Sequence, residues 1–335
     1  MQAARVVPGV TDALLAVEDL RVYYHTDAGP VKAVDGVSLS LQPGERFGLV
    51  GESGSGKSTT AWAIMRLIKP PGRIESGVIR LGDVRVDCLP DDEFRRLRLA
   101  KLALVPQGAM NSLNPVARVR DQLLDGLRAH PEGLTGARLN ARLLDLVAAV
   151  GLQPTVLRLY PHELSGGMRQ RVCIAIAISL GPKVIIADEP TSALDVVVQR
   201  QIMQTLSAVQ KRLGASILLV GHDMGLMAKF VDRVGVMYGG RLVEVGPVRE
   251  IFNQPLHPYT QLLISSLPTL HAKGALRGIP GAPPSLLAQP SGCIFHPRCP
   301  QAMTRCSTEI PVLRELTPGH WVSCHLYGTP AVTHN

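Results

Sequence analysis

The eight residues Gly51-Glu52-Ser53-Gly54-Ser55-Gly56-Lys57-Ser58 constrain this chain more than any other stretch. They fit the pattern G-x-x-x-x-G-K-[ST], a loop that binds phosphate. A phosphate chain carries several negative charges and is best held by backbone N–H groups that all point inward. Only a glycine-rich backbone curls that tightly, because glycine tolerates positive φ and carries no Cβ. Gly51, Gly54 and Gly56 supply that freedom, with Ser53, Ser55 and Thr59 completing the cradle. Lys57 is placed to reach the β- and γ-phosphates, and the Ser58 hydroxyl to ligate Mg²⁺. The flanks agree. Residues 45–50 form a buried strand entering the loop, and residues 59–68 a helix leaving it with its positive end on the phosphates. Pro70-Pro71-Gly72 stops that helix.

The rest of the chain repeats this design. Residues 1–13 read as a loose leader. Residues 14–24 and 31–41 alternate apolar and polar, as half-buried strands do, and Gln42-Pro43-Gly44 turns into the phosphate-loop strand. Tyr23 and Tyr24 end the first strand. Residues 76–82 form a further short strand, residues 91–101 a charged helix, and residues 102–107 a strand ending in Gln107. From about 118 to 163 the chain is rich in Leu, Ala and Arg at helical spacing, which predicts a helical insertion. Leu164-Ser165-Gly166-Gly167-Met168 opens a long helix to about Leu180. Residues 182–190 are an unbroken apolar run ending in Asp188 and Glu189, and residues 216–222 are another ending in His222. Such runs belong to parallel sheets covered on both faces. Residues 233–245 form a hairpin through Gly239-Gly240. Strands alternating with helices, with polar groups at the carboxyl ends, predict a doubly wound α/β domain.

No apolar run reaches the about 20 residues of a membrane span, and the N-terminus has no signal-peptide core, which predicts a cytosolic chain. A formal net charge of +8 would suit an acidic partner, but no long basic run is present, so the excess reads as scattered surface charge. Six cysteines in a cytosolic chain argue against a disulfide scaffold. Cys88 and Cys173 read as ordinary buried small residues. The other four all follow residue 292, in a tail where ten of the 26 prolines lie after residue 265. That composition predicts an irregular appendage held by something other than a large core.

Hydrolysis at the phosphate loop needs a carboxylate at a strand end to hold Mg²⁺, and Asp188 stands there; the adjacent Glu189 would act as general base. At this point the chain resembles the ATP-binding-cassette (ABC) ATPases. Leu164 to Met168 looks like their signature, with Met168 where Gln is commonest. Ser192-Ala193-Leu194-Asp195 looks like their D-loop, Gln107 like their Q-loop glutamine, and His222 like their switch histidine. Tyr24 fits the adenine-stacking aromatic by its place before the loop; an ordinary strand aromatic is the alternative. The resemblance spans residues 14–265 and implies a β-rich N-terminal subdomain, a RecA-like core and a helical subdomain over about 118–180. It implies two cassettes facing head to tail, each ATP lying between the loop of one and Ser165, Gly166, Gly167 and Asp195 of the other. It also assigns Gln107, Ser58 and Asp188 to Mg²⁺, and Lys57, Glu189 and His222 to catalysis.

His257-Pro258-Tyr259-Thr260, Pro161-His162-Glu163 and the stretch from Asn111 to Pro115 resemble the oligopeptide/dipeptide-type importers, and suggest the dipeptide-type first ATPase subunit. That resemblance implies two transmembrane permease subunits, a second and different ATPase chain, an extracytoplasmic solute-binding protein, and a place on the cytoplasmic face of the bacterial inner membrane. Oligosaccharide, nickel chelate and glutathione stay open as solutes. A soluble cassette ATPase acting on nucleic acid is the rival; one cassette and no sustained heptads count against it. Cys293, Cys299, Cys306 and Cys324 are spaced C-x5-C-x6-C-x17-C in the region from 266 to 335. By spacing this is neither a ferredoxin run nor a zinc ribbon. Tails of similar pattern in that subfamily carry a [4Fe–4S] cluster, so that assignment is favoured. Zinc, with His296 or His325 replacing one thiol, comes second, and free thiols remain the alternative.

Overall fold

The unbroken apolar runs become the buried strands of one sheet. The computed structural model describes residues 12–108, 112–129, 136–267 and 278–328; residues 1–11 of the expected leader 1–13, and Asn111, lie outside them. Strands β3 (Arg46–Val50), β6 (Leu102–Val105), β7 (Val184–Asp188), β8 (Ser216–Gly221) and β9 (Arg233–Tyr238) are parallel, and β10 (Arg241–Pro247) returns antiparallel to β9. Their side chains alternate between two cores. Phe47, Leu49, Val184, Ile186, Leu218 and Val220 face one; Ile185, Ala187, Ile217 and Leu219 face the other. With both faces covered, each strand needs apolar residues at every position, which is why the runs show no alternation.

The first core is closed by an antiparallel sheet. It is built from β1 (Leu15–Thr26), β2 (Gly29–Leu41), β4 (Gly72–Leu81) and β5 (Val84–Arg85) in the order β2-β1-β4-β5. Here Leu15, Val17, Leu20 and Val22 point inward; a register shift between Val17 and Leu20, at Asp19 with φ 45°, keeps Leu20 and Val22 on the buried face. Helices α1 (Lys57–Ile64) and α2 (Asp91–Leu97) accompany it. The second core continues into the helical part, made of α3 (Val119–Arg128), α4 (Gly136–Ala149) and α5 (Gly166–Ala177). Helices α6 (Val196–Leu213), α7 (Met224–Phe230), α8 (Val248–Asn253) and α9 (Pro258–Ser265) follow.

The tail differs from the irregular appendage expected. Strands β11 (Arg314–Thr317) and β12 (His320–Val322) extend the main sheet, giving the order β11-β12-β10-β9-β3-β8-β7-β6. Glu244 pairs with Val322 and Val245 with Trp321. The prolines do not prevent this, because Pro311 and Pro318 fall outside these short edge strands. Phe295 is fully buried in the second core, against the rings of Tyr238, Tyr259 and His257. Among the described residues no helix is long and apolar enough to cross a membrane.

Candidate nucleotide site

Because β3, β6, β7 and β8 are parallel, their carboxyl ends share one sheet edge. The phosphate loop leaves β3 there, Asp188 and Glu189 end β7, His222 follows β8, and Gln107 follows β6. A cavity of about 480 Å³ opens at this edge, lined by Ser53, Gly54, Gly56, Lys57, Ser58, Thr59, Gln107, Glu189 and His222. Gly51, Gly54 and Gly56 have φ of 152°, 76° and 99°. A Cβ on Gly51 would lie 2.1 Å from the Met237 carbonyl oxygen, and one on Gly56 would lie 2.2 Å from that of Ala33. Glycine is therefore required here by space as well as by φ.

Lys57 heads α1, and its Nζ donates to the carbonyls of Gly51 and Glu52, both at 2.9 Å. Burial holds its amine below the ordinary lysine range, against the opposing charges of Glu189, Asp188 and Glu52. The Ser58 hydroxyl donates to Oδ1 of Asp188. Asp188 is fully buried, and among the described residues its Oδ2 has no hydrogen-bond partner. Burial pushes this carboxyl above the usual range, the Ser58 hydrogen bond acting the other way. A hydroxyl beside a buried carboxylate with a free oxygen is a donor set that fits Mg²⁺.

Glu189 adopts φ 41°, a left-handed conformation that costs on the order of 1–3 kcal/mol for a residue with a side chain. Its N–H donates to the Val220 carbonyl at 2.9 Å, which fixes that backbone against β8. Its carboxylate accepts from Gln107 Nε2 at 3.0 Å on one oxygen and stands 3.4 Å from His222 Nδ1 on the other. The three polar strand ends thus converge on one carboxylate at the mouth of the cavity.

The signature and D-loop residues lie elsewhere. Ser165 caps α5 by accepting from the Met168 N–H, and Asp195 caps α6 by accepting from the Val198 N–H. A Cβ on Gly167 would stand 2.6 Å from a Val198 methyl, and one on Gly166 3.2 Å from Leu194. The two helix N-termini are therefore packed together, but Ser165, Gly166, Gly167 and Asp195 do not line the cavity of their own chain. Tyr24 does not line it either. It is half buried on β1, facing Gly72, where an added Cβ would stand 2.7 Å from the Tyr24 ring. Ser55 is buried behind the loop, its carbonyl accepting from the Gly240 N–H.

Cys293, Cys306 and Cys324 are buried and Cys299 is partly so; none is in a disulfide. Burial pushes the Cys293 thiol up to about 11, and raises Cys299 and Cys324 as well. The neighbouring tail thiols push each of these three the same way as burial does, and nearby backbone N–H groups act against it. Met303 N–H donates to Cys306 Sγ at 3.4 Å. Among the described residues, however, no three or more His, Cys, Asp or Glu side chains are grouped so as to hold a metal ion. His296 and His325 are engaged by the carbonyls of Cys293 and Glu309. Cys173 is buried as expected, its thiol pushed up to about 12; Cys88, expected to be buried, is exposed, on the loop after the edge strand β5.

Glu52, Tyr259 and Arg298 support the phosphate loop and were not singled out from the sequence as residues of this site. Glu52 N–H donates to the Tyr259 hydroxyl at 2.9 Å, and the Glu52 carboxylate meets the Arg298 guanidinium. Of the three, only Tyr259 carried a signal, within His257-Pro258-Tyr259.

Residues 34–192 match the family described as ABC transporter, and residues 243–306 match the oligopeptide/dipeptide transporter C-terminal region. The chain is 45% identical over 317 residues to the oligopeptide transport ATP-binding protein OppD of Escherichia coli, covering 93% of both. It is 43% identical over 316 residues to the dipeptide transport ATP-binding protein DppD of Caldanaerobacter subterraneus, covering 94% of this chain and 97% of that one. Among solved structures, a dimeric ATP-binding cassette in a post-hydrolysis state with ADP and Pi aligns at TM-score 0.63 and 28% identity, over 70% of this chain and 99% of that chain. A cassette of the cbiONQ transporter complex from Clostridium perfringens aligns at TM-score 0.63 and 29% identity, over 72% and 92%. With such identity along nearly its whole length, the chain belongs to the ATP-binding subunits of the oligopeptide/dipeptide ABC transporters.

Proposed function

We propose that this chain is the ATP-hydrolysing subunit of a bacterial importer of di- or oligopeptides, working on the cytoplasmic face of the inner membrane. The observation that carries the reading is the convergence of Gln107 and His222 on Glu189 beside Lys57 and the Ser58–Asp188 pair, in a chain similar to OppD and DppD. The loop amides and Lys57 hold the β- and γ-phosphates. Ser58 and Asp188, with Gln107 alongside, would hold Mg²⁺, which supplies positive charge against the phosphoryl oxygens. Glu189 orients and deprotonates the attacking water, Gln107 and His222 fixing where its carboxylate points. Phosphoryl transfer has little covalent chemistry for the protein to perform, so positioning and charge do most of the work.

Ser165, Gly166, Gly167 and Asp195 stand away from the cavity of their own chain, which suits a contribution to the site of a facing cassette. We take that cassette to be a second, different ATPase chain, with two permease subunits and an extracytoplasmic binding protein completing the assembly. Residues 14–265 would form the nucleotide-binding unit and residues 266–335 an accessory region. Tyr24, ahead of the loop in sequence, remains the candidate adenine platform, although it does not line the cavity. The test is purification of the assembled complex. Hydrophobic subunits should accompany the chain, MgATP hydrolysis should be measurable, and peptides should stimulate it. Nucleic acid in place of membrane subunits would overturn the reading; stimulation by oligosaccharide, nickel chelate or glutathione would change the solute.

The four tail thiols are proposed as ligands of a [4Fe–4S] cluster, with zinc as second choice. Four thiols in one tail segment, three of them buried and one accepting from the Met303 N–H, support this, since such donors stabilise thiolates. Visible absorbance, iron and labile sulfide in anaerobically purified protein test it; colourless protein holding zinc, or no metal, would replace it.

A further inference from the structure

We propose that Arg298, in the tail, is a positioning residue of the phosphate loop: it neutralises and anchors Glu52, so that ATP affinity depends on a contact 246 residues away in sequence. Arg298 ends a short 3-10 turn, His296–Arg298, between Cys293 and Cys299. Its side chain is only 6% exposed, and its guanidinium grips the Glu52 carboxylate at both oxygens, at 2.7 Å and 3.2 Å. The same guanidinium donates to the Tyr238 hydroxyl at 3.1 Å and to the carbonyls of Pro280 and Ile279 at 2.7 Å and 3.2 Å. Its fork is therefore fixed before it meets Glu52.

Glu52 is the second residue of the loop and is held at three points. Its N–H goes to Tyr259, its carbonyl takes the Lys57 ammonium, and its carboxylate takes Arg298. Two consequences follow. The first is geometric: the amides after Glu52 must point at the phosphates, and a residue clamped on its side chain and both backbone groups cannot tilt that segment. The second is electrostatic. A free carboxylate on a loop built for polyphosphate would repel its ligand, and at a half-buried position that repulsion is weakly screened. Arg298 cancels the charge with bidentate geometry that lysine cannot reproduce.

The inference rests on the phosphate-binding role of the loop, which wild-type titration checks by itself. Full-length chain is titrated with a fluorescent ATP analogue and Mg²⁺, alongside R298A, R298K, E52Q and the double variant R298A/E52Q, and thermal midpoints are recorded for each. R298A should weaken binding on the order of tenfold, since a charged, desolvated pair is left broken. R298K should recover part of that loss. The double variant should bind more tightly than R298A, because removing the orphaned carboxylate removes the repulsion, even if its thermal midpoint is no higher. In the assembled transporter R298A should raise KM for ATP more than it lowers kcat. Wild-type affinity in R298A, or a double variant no tighter than R298A, would overturn the proposal. If R298A does not fold, R298K carries the test: weakened binding at an unchanged thermal midpoint supports it, and unchanged affinity overturns it. A wild-type chain that binds no MgATP would overturn both the proposal and the loop's role.

Discussion

Ser58 and Asp188, 130 residues apart in sequence, meet in one hydrogen bond of 2.8 Å that joins the head of α1 to the end of β7. The hydroxyl occupies one carboxylate oxygen and leaves the other buried without a partner among the described residues. Replacing Asp188 by Asn keeps the shape and removes the charge. MgATP affinity should then fall by at least about tenfold, while binding of ATP in EDTA changes little. Equal losses with and without Mg²⁺ would remove Asp188 from the metal role.

Glu189 is the carboxylate on which Gln107 and His222 converge. Glu189→Gln should bind ATP and hold it, with turnover lowered on the order of 10²–10⁴-fold, the contribution of a positioned general base. Single-turnover assays on the assembled transporter measure this. Ordinary turnover by the variant would mean that another group takes the proton.

Gly56 has φ 99°, and an added Cβ would stand 2.2 Å from the Ala33 carbonyl oxygen. That oxygen belongs to the β2 backbone and cannot swing aside as a side-chain tip can. Gly56→Ala should therefore abolish detectable nucleotide binding while far-ultraviolet circular dichroism stays close to that of the wild type. Gly44, at φ 73° with open space around it, serves as the control. Gly44→Ala should bind ATP normally and lose only about 1 kcal/mol of stability.

His257 is fully buried, and its Nδ1 accepts from the Tyr259 N–H at 3.0 Å. Burial pulls it from an ordinary value of 6.5 down to about 4, with Glu244 acting the other way. Between these values the unfolded chain binds a proton that the folded chain does not. Stability should therefore fall as pH drops from 6.5 towards 4, by up to about 1.4 kcal/mol per pH unit, with no contribution from this residue above 6.5. Denaturant midpoints at pH 7 and pH 5 test it against His257→Asn, whose amide oxygen can still accept from Tyr259. The variant should lose less on acidification; parallel losses would reject the assignment.

What the sequence disclosed, and what it withheld, divides along a physical line. The phosphate loop, Asp188-Glu189 and His222 were legible because each is a short contiguous pattern at the end of an apolar run, and parallel pairing brings all such ends to one edge. Ser165 was legible at a helix start, since a small polar residue before a helix caps it, whereas Asp195 was read only as part of the D-loop and its cap on α6 was not. Arg298 and Glu52 were not. Their contact is made between two distant segments, and an isolated Arg in a proline-rich tail reads as solvated surface. The tail strands were missed for a related reason. At three and four residues they are too short to show alternation, and their pairing partner β10 was already accounted for as half of a hairpin. Residue type alone predicts a buried cysteine at Cys88, and local sequence does not reveal which loop faces solvent.

The pairing of β12 with β10 has a bearing on how the polypeptide matures. Until residue 322 has emerged from the ribosome, β10 presents bare amide and carbonyl groups along one flank, together with the buried carboxylate of Glu244 that His320 later covers. An unguarded strand of this kind is a template for intermolecular association. A chain whose β12 cannot pair should therefore be the more prone to associate with its own copies.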